Sequence, residues 1–196
     1  MAKKQEVKLE VLDIKVLPIK IVGVSPFISN KFSDQALAKM ENKQRGITTQ
    51  KSKREPKEEE VESYVHRTNK GDVGYPVAAF YNGMIEVAPY LEGMNKKLVG
   101  GSIKVLPDDG SLIEITYSNM EPKRDAVKLN MSASNVIYRP MFDGWGAELK
   151  VQFNAALVSP QQIVNLINLA GFQRGIGAMR PGSPKKPGSM GMYKVK

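Results

Sequence analysis

The residues best suited to chemistry lie at the carboxyl end of the chain, between Gly171 and Lys196. This stretch contains six basic residues and no acidic one, and glycine or proline recurs at almost every third position. Glycines let backbone amides approach an anion closely, while arginine and lysine neutralise phosphates. The pattern therefore predicts a phosphate-binding segment with these contact residues: Arg174, Gly175, Gly177, Arg180, Lys185 and Lys186. A solvated basic tail, or a glycine loop that only ends a helix, is the alternative.

Aromatic residues lie close to basic ones just before and within this segment. Trp145 and Phe172 accompany Arg139 and Arg174 in the sequence, an arrangement typical of platforms on which unpaired bases stack. Trp145 falls in the turn Phe142-Asp143-Gly144-Trp145-Gly146, so we expect its ring to be partly exposed. Core packing is the alternative for at least half of the aromatic residues in this region.

Catalytic and metal-binding patterns are absent from the sequence. The chain has no cysteine and one histidine, His66, so it cannot form a zinc site of the usual ligands. No Walker lysine motif, dinucleotide fingerprint or serine elbow occurs, so we expect no cofactor and no enzymatic activity. Metal-independent cleavage of RNA by His66 is an alternative to simple binding.

The charge balance favours a polyanionic partner. Twenty-nine basic residues against twenty acidic ones give a net charge of +9. The amino terminus lacks the apolar region of a signal peptide, and no run approaches the roughly 20 apolar residues that cross a bilayer. We expect a cytoplasmic protein that binds single-stranded RNA or DNA and not a membrane.

Hydrophobic periodicity predicts alternating strands and helices. Alternation over Val7 to Val24 predicts a strand in which Pro18 marks an edge or a bulge, or two consecutive strands that meet there. Ser159-Pro160-Gln161-Gln162 is a helix start with a capping box, and Gly171 is the expected helix end. The other predicted elements are helices after Ser33 and Pro76, a hairpin turning at Asp108-Asp109-Gly110, strands at 126–130, 136–138 and 147–153, and a short strand at 192–195.

This order predicts one α+β domain over residues 1–196 with a ferredoxin-like, RRM-like βαββαβ core. Residues 42–72 are rich in alternating charge, which predicts a mobile insertion. Residues 100–130 are expected to form a second, β-rich insertion. Residues 171–196 form the basic segment described above.

The chain resembles the RAMP superfamily, the ferredoxin-like proteins that include backbone subunits of CRISPR effector complexes. The resemblance lies in an early strand leading to Gly23-Val24-Ser25-Pro26, in the helix after Gly74-Tyr75-Pro76, and in the last helix followed by Gly171-Phe172-Gln173-Arg174-Gly175-Ile176-Gly177. It implies single-stranded RNA held along a groove, with subunits packed head to tail as a homo-oligomer or within a nucleoprotein complex. A viral relative that engages a nucleic-acid-binding or defence assembly as an interaction protein is a further alternative.

Overall fold

The computed structural model describes residues 12–32, 34–47, 57–128, 134–184 and 186–196. They form a mixed α/β structure with antiparallel sheets. The helices in these ranges are α1 (Asp34–Gln44), α2 (Lys57–Ser63), α3 (Val77–Val87), α4 (Lys96–Ser102) and α5 (Pro160–Gln173), with a 3-10 turn at Ala88–Tyr90. The strands are β1 (Ile14–Gly23), β2 (Phe27–Ile28), β3 (His66–Arg67), β4 (Val73–Pro76), β5 (Ile103–Leu106), β6 (Leu112–Thr116), β7 (Asn119–Lys128), β8 (Ser134–Asp143), β9 (Gly146–Asn154) and β10 (Tyr193–Val195). None of these helices has the length and apolar character needed to cross a bilayer.

The main sheet is organised around β9. Strand β1 pairs with the whole length of β9, from Ile14 opposite Asn154 to Val22 opposite Gly146. The other edge of β9 is shared, since β5 pairs with its second half and β6 with its first two residues. The sheet continues from β6 to β4 and β3, and β10 adds to the far side of β1. Strands β2, β8 and β7 form a separate antiparallel sheet.

Helices α3 and α5 pack against each other and cover one face of the main sheet. Leu149, Val151 and Phe153 point from β9 into this core, so the strand predicted at 147–153 is confirmed and has one buried face. The capping box that begins α5 is also confirmed, because Ser159 accepts from the Gln162 amide and Gln162 accepts in return. The alternation of β9 and the capping box of α5, both predicted from the sequence, thus belong to elements that enclose the core.

Pro18 lies within one uninterrupted strand. Strand β10 pairs only with Ile21 to Gly23, and the last bond on that side runs from the Lys196 amide to the Lys20 carbonyl. The backbone of Pro18 faces the same side, beyond the end of β10, so its missing N–H costs no ladder hydrogen bond. The prediction of an edge position is therefore confirmed, without the bulge. Residues 7–11 of the predicted strand lie outside the described residues.

The charged segment 42–72 contains more structure than its composition predicts. Helix α2 begins with three glutamates, which favour a helix amino terminus, and it buries Val61. Val65 is also buried, and β3 pairs with β4. Two valines are enough to attach residues 57–72 to the core, so the predicted mobile insertion is wrong for this part. Residues 48–56 lie outside the described residues.

The structure contains the predicted turn at Asp108-Asp109-Gly110, but the two strands that flank this turn do not pair with each other as a hairpin. Beyond one isolated bridge, β5 and β6 do not form a ladder with each other, because both lie along β9. The Asp108 carboxylate accepts from the Glu114 amide at 3.0 Å and from the Lys150 ammonium at 2.9 Å, which stabilises the turn. The separate β ribbon is formed instead by β7 and β8, so the predicted insertion at 100–130 has the wrong boundaries.

Gly171 lies inside α5 and does not end it. The helix continues to Gln173, and a Cβ atom placed on Gly171 would lie 1.9 Å from the Tyr193 carbonyl oxygen. The absence of a side chain therefore permits β10 to approach the helix. Gly83 of α3 differs, because a Cβ there would meet Ala170 at 3.6 Å, an ordinary contact that does not require a glycine.

These two helical glycines provide a matched test of the packing. We expect Gly171→Ala to lower the free energy of unfolding by about 1–3 kcal/mol, the usual cost of forcing atoms into a packed site. Gly83→Ala should raise it by up to about 1 kcal/mol, because alanine is the better helix former. Urea unfolding of both variants measures the difference. Equal stability of the two variants would contradict the close approach of β10 at Gly171.

Candidate nucleic-acid interface

The carboxyl-terminal segment is folded against the rest of the protein. Ile176 and Tyr193 are buried, and the Ala178 amide donates to the Ile28 carbonyl at 2.9 Å. The Gly191 amide donates to the Pro26 carbonyl at 2.7 Å. These contacts tie the loop to the residues around β2. A solvated basic tail is thereby excluded for this part of the segment.

The glycines of the loop do not present free amides. The Gly175 amide donates to the Ala170 carbonyl and the Ile176 amide to the Gly191 carbonyl, both at 2.9 Å. Gly177 has a φ of +77°, and a Cβ there would lie 2.4 Å from the Ile28 carbonyl oxygen. Gly175 and Gly177 therefore serve packing and backbone conformation. The Gly175 and Ile176 amides are therefore not available to an anion, and the Gly177 amide hydrogen-bonds to Tyr75, so binding at this site depends chiefly on side chains.

A cavity of about 250 Å³ lies between α3 and this loop. Arg174 and Arg180 approach it from the loop, together with Gly175, Ile176 and Gly177. The opposite wall consists of the residues Tyr75, Ala78, Ala79, Asn82, Gly83 and Glu86. The structure thus brings together four of the predicted contact residues, Arg174, Gly175, Gly177 and Arg180, at one concave site.

Two guanidinium groups and one carboxylate set the charge of this cavity. Arg174 forms an ion pair with Glu86, and both side chains are partly exposed. Arg180 donates to the Gly177 carbonyl at 3.0 Å and has no carboxylate partner among the described residues. Burial raises the pKa of Tyr75, whereas Arg180 and the Gly177 backbone oppose that rise. The cavity therefore has an excess of one positive charge beside a neutral phenol.

The other predicted contact residues lie away from the cavity. Trp145 is 2% exposed and donates its indole N–H to the Ser25 carbonyl at 2.8 Å, so the prediction that its ring is accessible is wrong. Arg139 is also largely buried in an ion pair with Asp125 at 2.5 Å on the β7–β8 ribbon. Phe172 is 65% exposed on α5 but does not line the cavity. Lys186 is exposed, and Lys185 lies outside the described residues.

Sequence reasoning missed the α3 wall of the cavity. Asn82 and Glu86 lie four residues apart on the side of α3 opposite the buried Phe80 and Met84, and Tyr75 lies on β4 just before the helix. That spacing was available in the sequence, but a polar helix face is ordinarily solvated. Only the position of the glycine loop turns this face into one side of a cavity.

His66 lies next to the same region through Tyr75. Their ring centroids are 5.5 Å apart, and the rings meet edge to face. Burial lowers the pKa of His66, and the charge of Lys31 lowers it further, so the imidazole is neutral at pH 7. Among the residues that the structure describes, no cluster of carboxylates and histidine is arranged to hold a metal ion.

A larger groove of about 510 Å³ crosses the face of the sheet that the helices leave open. Lys20, Lys150 and Lys196 line it, but Asp108, Glu114 and Glu148 line it as well. Asp108 is bonded to Lys150, so the charges of this groove balance. An RNA-binding sheet face would need a positive excess, which favours the smaller cavity as the site for a polyanion.

Comparison with known proteins does not identify a family for this chain. No protein-family model matches the chain, and no curated protein sequence matches it either.

Proposed function

We propose that this protein binds single-stranded nucleic acid, preferably RNA, without catalysing a reaction, and that the cavity between α3 and the carboxyl-terminal loop is its binding site. The observation that carries the proposal is the convergence of Arg174 and Arg180 on a concave site beside Tyr75. Guanidinium groups bind phosphates by charge-assisted hydrogen bonds, and the Tyr75 hydroxyl at the same site can donate or accept a further hydrogen bond. The net charge of +9 supports the same conclusion.

The size of the cavity favours a single strand. A volume of about 250 Å³ admits one nucleotide group, whereas a duplex keeps its bases paired and stacked inside the helix. A single strand can turn one nucleotide inward while its neighbours remain outside. The exposed ring of Phe172 and the charge of Lys186 are then available to the neighbouring nucleotides.

The strand order supports a ferredoxin-like core as part of the proposal. In chain order β1, α3, β5, β9, α5 and β10 follow a βαββαβ pattern, and in space the strands lie as β10, β1, β9 and β5. Strands β3, β4 and β6 extend this core, and the β7–β8 ribbon is an addition to it. The resemblance to the RAMP superfamily stays a proposal that rests on the same strands and on the loop after α5.

Assembly of several copies is the second part of the proposal. Helix α1 exposes Leu37 and Met40 by 44% and 48%. The start of β1 exposes Leu12, Ile14 and Val16 by half or more on the open side of the sheet. Two different apolar patches favour a heterologous contact, in which one patch of each copy meets the other patch of the next.

The salt dependence of binding tests the phosphate contacts. Each phosphate contact on a single strand contributes about −0.7 to the slope of log affinity against log salt. We expect Arg174→Ala combined with Arg180→Ala to flatten the slope by about 0.7 units, the contribution of Arg180, because Glu86 already neutralises Arg174. Fluorescence anisotropy of a labelled RNA and a labelled single-stranded DNA at several salt concentrations measures both slopes.

Lys97→Ala is the control for this experiment, because Lys97 is exposed on α4 and does not line the cavity. It should leave the slope nearly unchanged. A folded double variant with the wild-type slope would remove the cavity from the binding site. Salt-insensitive binding to a protein instead of RNA would support the interaction-protein alternative.

The sedimentation coefficient tests the proposed assembly. We expect species that grow with protein concentration or with added RNA, and we expect Leu37→Asn with Met40→Asn to suppress this growth. Tyr90→Asn is a control, since Tyr90 is 71% exposed and belongs to neither apolar patch. A dimer that is independent of concentration would indicate a closed two-fold interface and contradict the heterologous contact.

Cleavage by His66 is the rival function, and the observation that favours it is a neutral imidazole in edge-to-face contact with Tyr75 of the cavity wall. A neutral histidine can accept the proton of a ribose hydroxyl. We nevertheless expect an end-labelled RNA to stay intact during long incubation with the wild-type protein. Cleavage that disappears in His66→Ala would contradict the non-catalytic proposal.

A further inference from the structure

The cavity between α3 and the loop contains a feature that phosphate binding does not use. Glu86 places a carboxylate beside Arg174, where it would repel a phosphate. The Asn82 side chain also lines the cavity and makes no hydrogen bond to any residue that the structure describes. A wall with both acceptors and donors fits a neutral ligand that carries donors and acceptors of its own.

We infer that this cavity binds an unstacked guanine base of the RNA strand, with Glu86 accepting hydrogen bonds from the guanine N1 and N2 groups and Arg174 donating to O6. The inference rests on the proposed function and adds a base preference to it. Arg180 remains available to the phosphate of the same nucleotide, because no carboxylate among the described residues neutralises it.

The arrangement of donors around guanine explains the choice of base. Its Watson–Crick edge has two neighbouring donors, N1–H and the N2 amino group, which match the two oxygens of a carboxylate. The O6 acceptor comes next on the ring, as Arg174 lies next to Glu86. Adenine and cytosine each offer a single amino group beside a ring acceptor, and uracil offers one N–H between two carbonyl oxygens. These bases therefore leave part of the carboxylate unpaired, which is unfavourable at a partly buried site.

The shape of the cavity is consistent with a planar ring. Its volume of about 250 Å³ is slightly below the roughly 300 Å³ at which sites for drug-sized ligands begin. Ala78, Ala79 and Gly83 form a wall of small side chains on α3, and Tyr75 lies at one end. A flat base can lie along these three small residues, while the longer Asn82 and Glu86 side chains of α3 supply polar contacts.

Four RNA dodecamers that differ at one central position test this inference. Each is oligouridine with G, A, C or U at the centre, so a single guanine cannot form four-stranded structures. We expect the guanine dodecamer to bind about tenfold more tightly than the other three, as a two-bond contact to a base edge usually provides. Inosine, which lacks the N2 amino group, should lose most of this preference. Fluorescence anisotropy at fixed salt measures all five affinities.

Glu86→Gln is the decisive variant, and Glu92→Gln is its control. Glu86 is partly exposed, so its replacement leaves the fold intact, and Glu92 is an exposed glutamate outside the cavity. We expect Glu86→Gln to bind all four dodecamers with similar affinity and oligouridine at least as tightly as the wild type does. Glu92→Gln should keep the preference for guanine.

Equal affinities of the wild-type protein for the four dodecamers, with salt-dependent binding retained, would overturn the guanine site and leave the proposed function intact. A guanine preference that survives Glu86→Gln would also overturn the assignment. Failure to bind any dodecamer at low salt would overturn both the inference and the proposed function.

Discussion

The contact between Gly171 of α5 and the Tyr193 carbonyl of β10 determines where the carboxyl-terminal loop lies. It brings the end of the chain back to the helix from which the loop departs, so residues 174–184 and 186–191 lie in a loop beside α3. Bonds from the Ala178 and Gly191 amides to the backbone near β2 then attach its middle. Arg174 and Arg180 owe their position to this packing.

The same packing explains why the glycines of the loop do not act as an anion nest. Their amides are satisfied within the protein, and their missing side chains permit close backbone contacts. Binding chemistry is left to the side chains that surround the cavity. A rigid loop opposite a helix keeps donors and acceptors at fixed separations, which is what recognition of a base edge requires.

The sequence predicts individual helices and strands well, because the patterns that indicate them lie within a few neighbouring residues. The capping box at Ser159 and the alternation of β9 depend only on neighbouring residues, and both are confirmed. The burial of Trp145 depends on Gly23, where a Cβ would lie 2.3 Å from the indole nitrogen. No local pattern connects residues so far apart in the chain.

Contacts between distant parts of the chain also account for the remaining differences between the predicted and the observed structure. Strands β5 and β6 both pair with the same edge of β9, whereas the turn sequence between them predicts that they pair with each other. Asn82 and Glu86 occupy a polar helix face that is solvated in most proteins, and only the folded loop makes it one wall of a site. Four of the nine predicted contact residues line the cavity, because they belong to the loop after α5, whereas Trp145 is buried and Arg139 is paired with Asp125 elsewhere.

The central claim is that nucleic acid binds between α3 and the carboxyl-terminal loop, and backbone and side-chain amide chemical shifts of the ¹⁵N-labelled protein test it most directly. On titration with a single-stranded RNA dodecamer, the account predicts shift changes for the Asn82 side-chain amide, for Gly83 and for Gly175 to Arg180. Residues of the open sheet face, such as Lys20 and Lys150, should change little. Shift changes confined to that sheet face, with none around the cavity, would contradict the account.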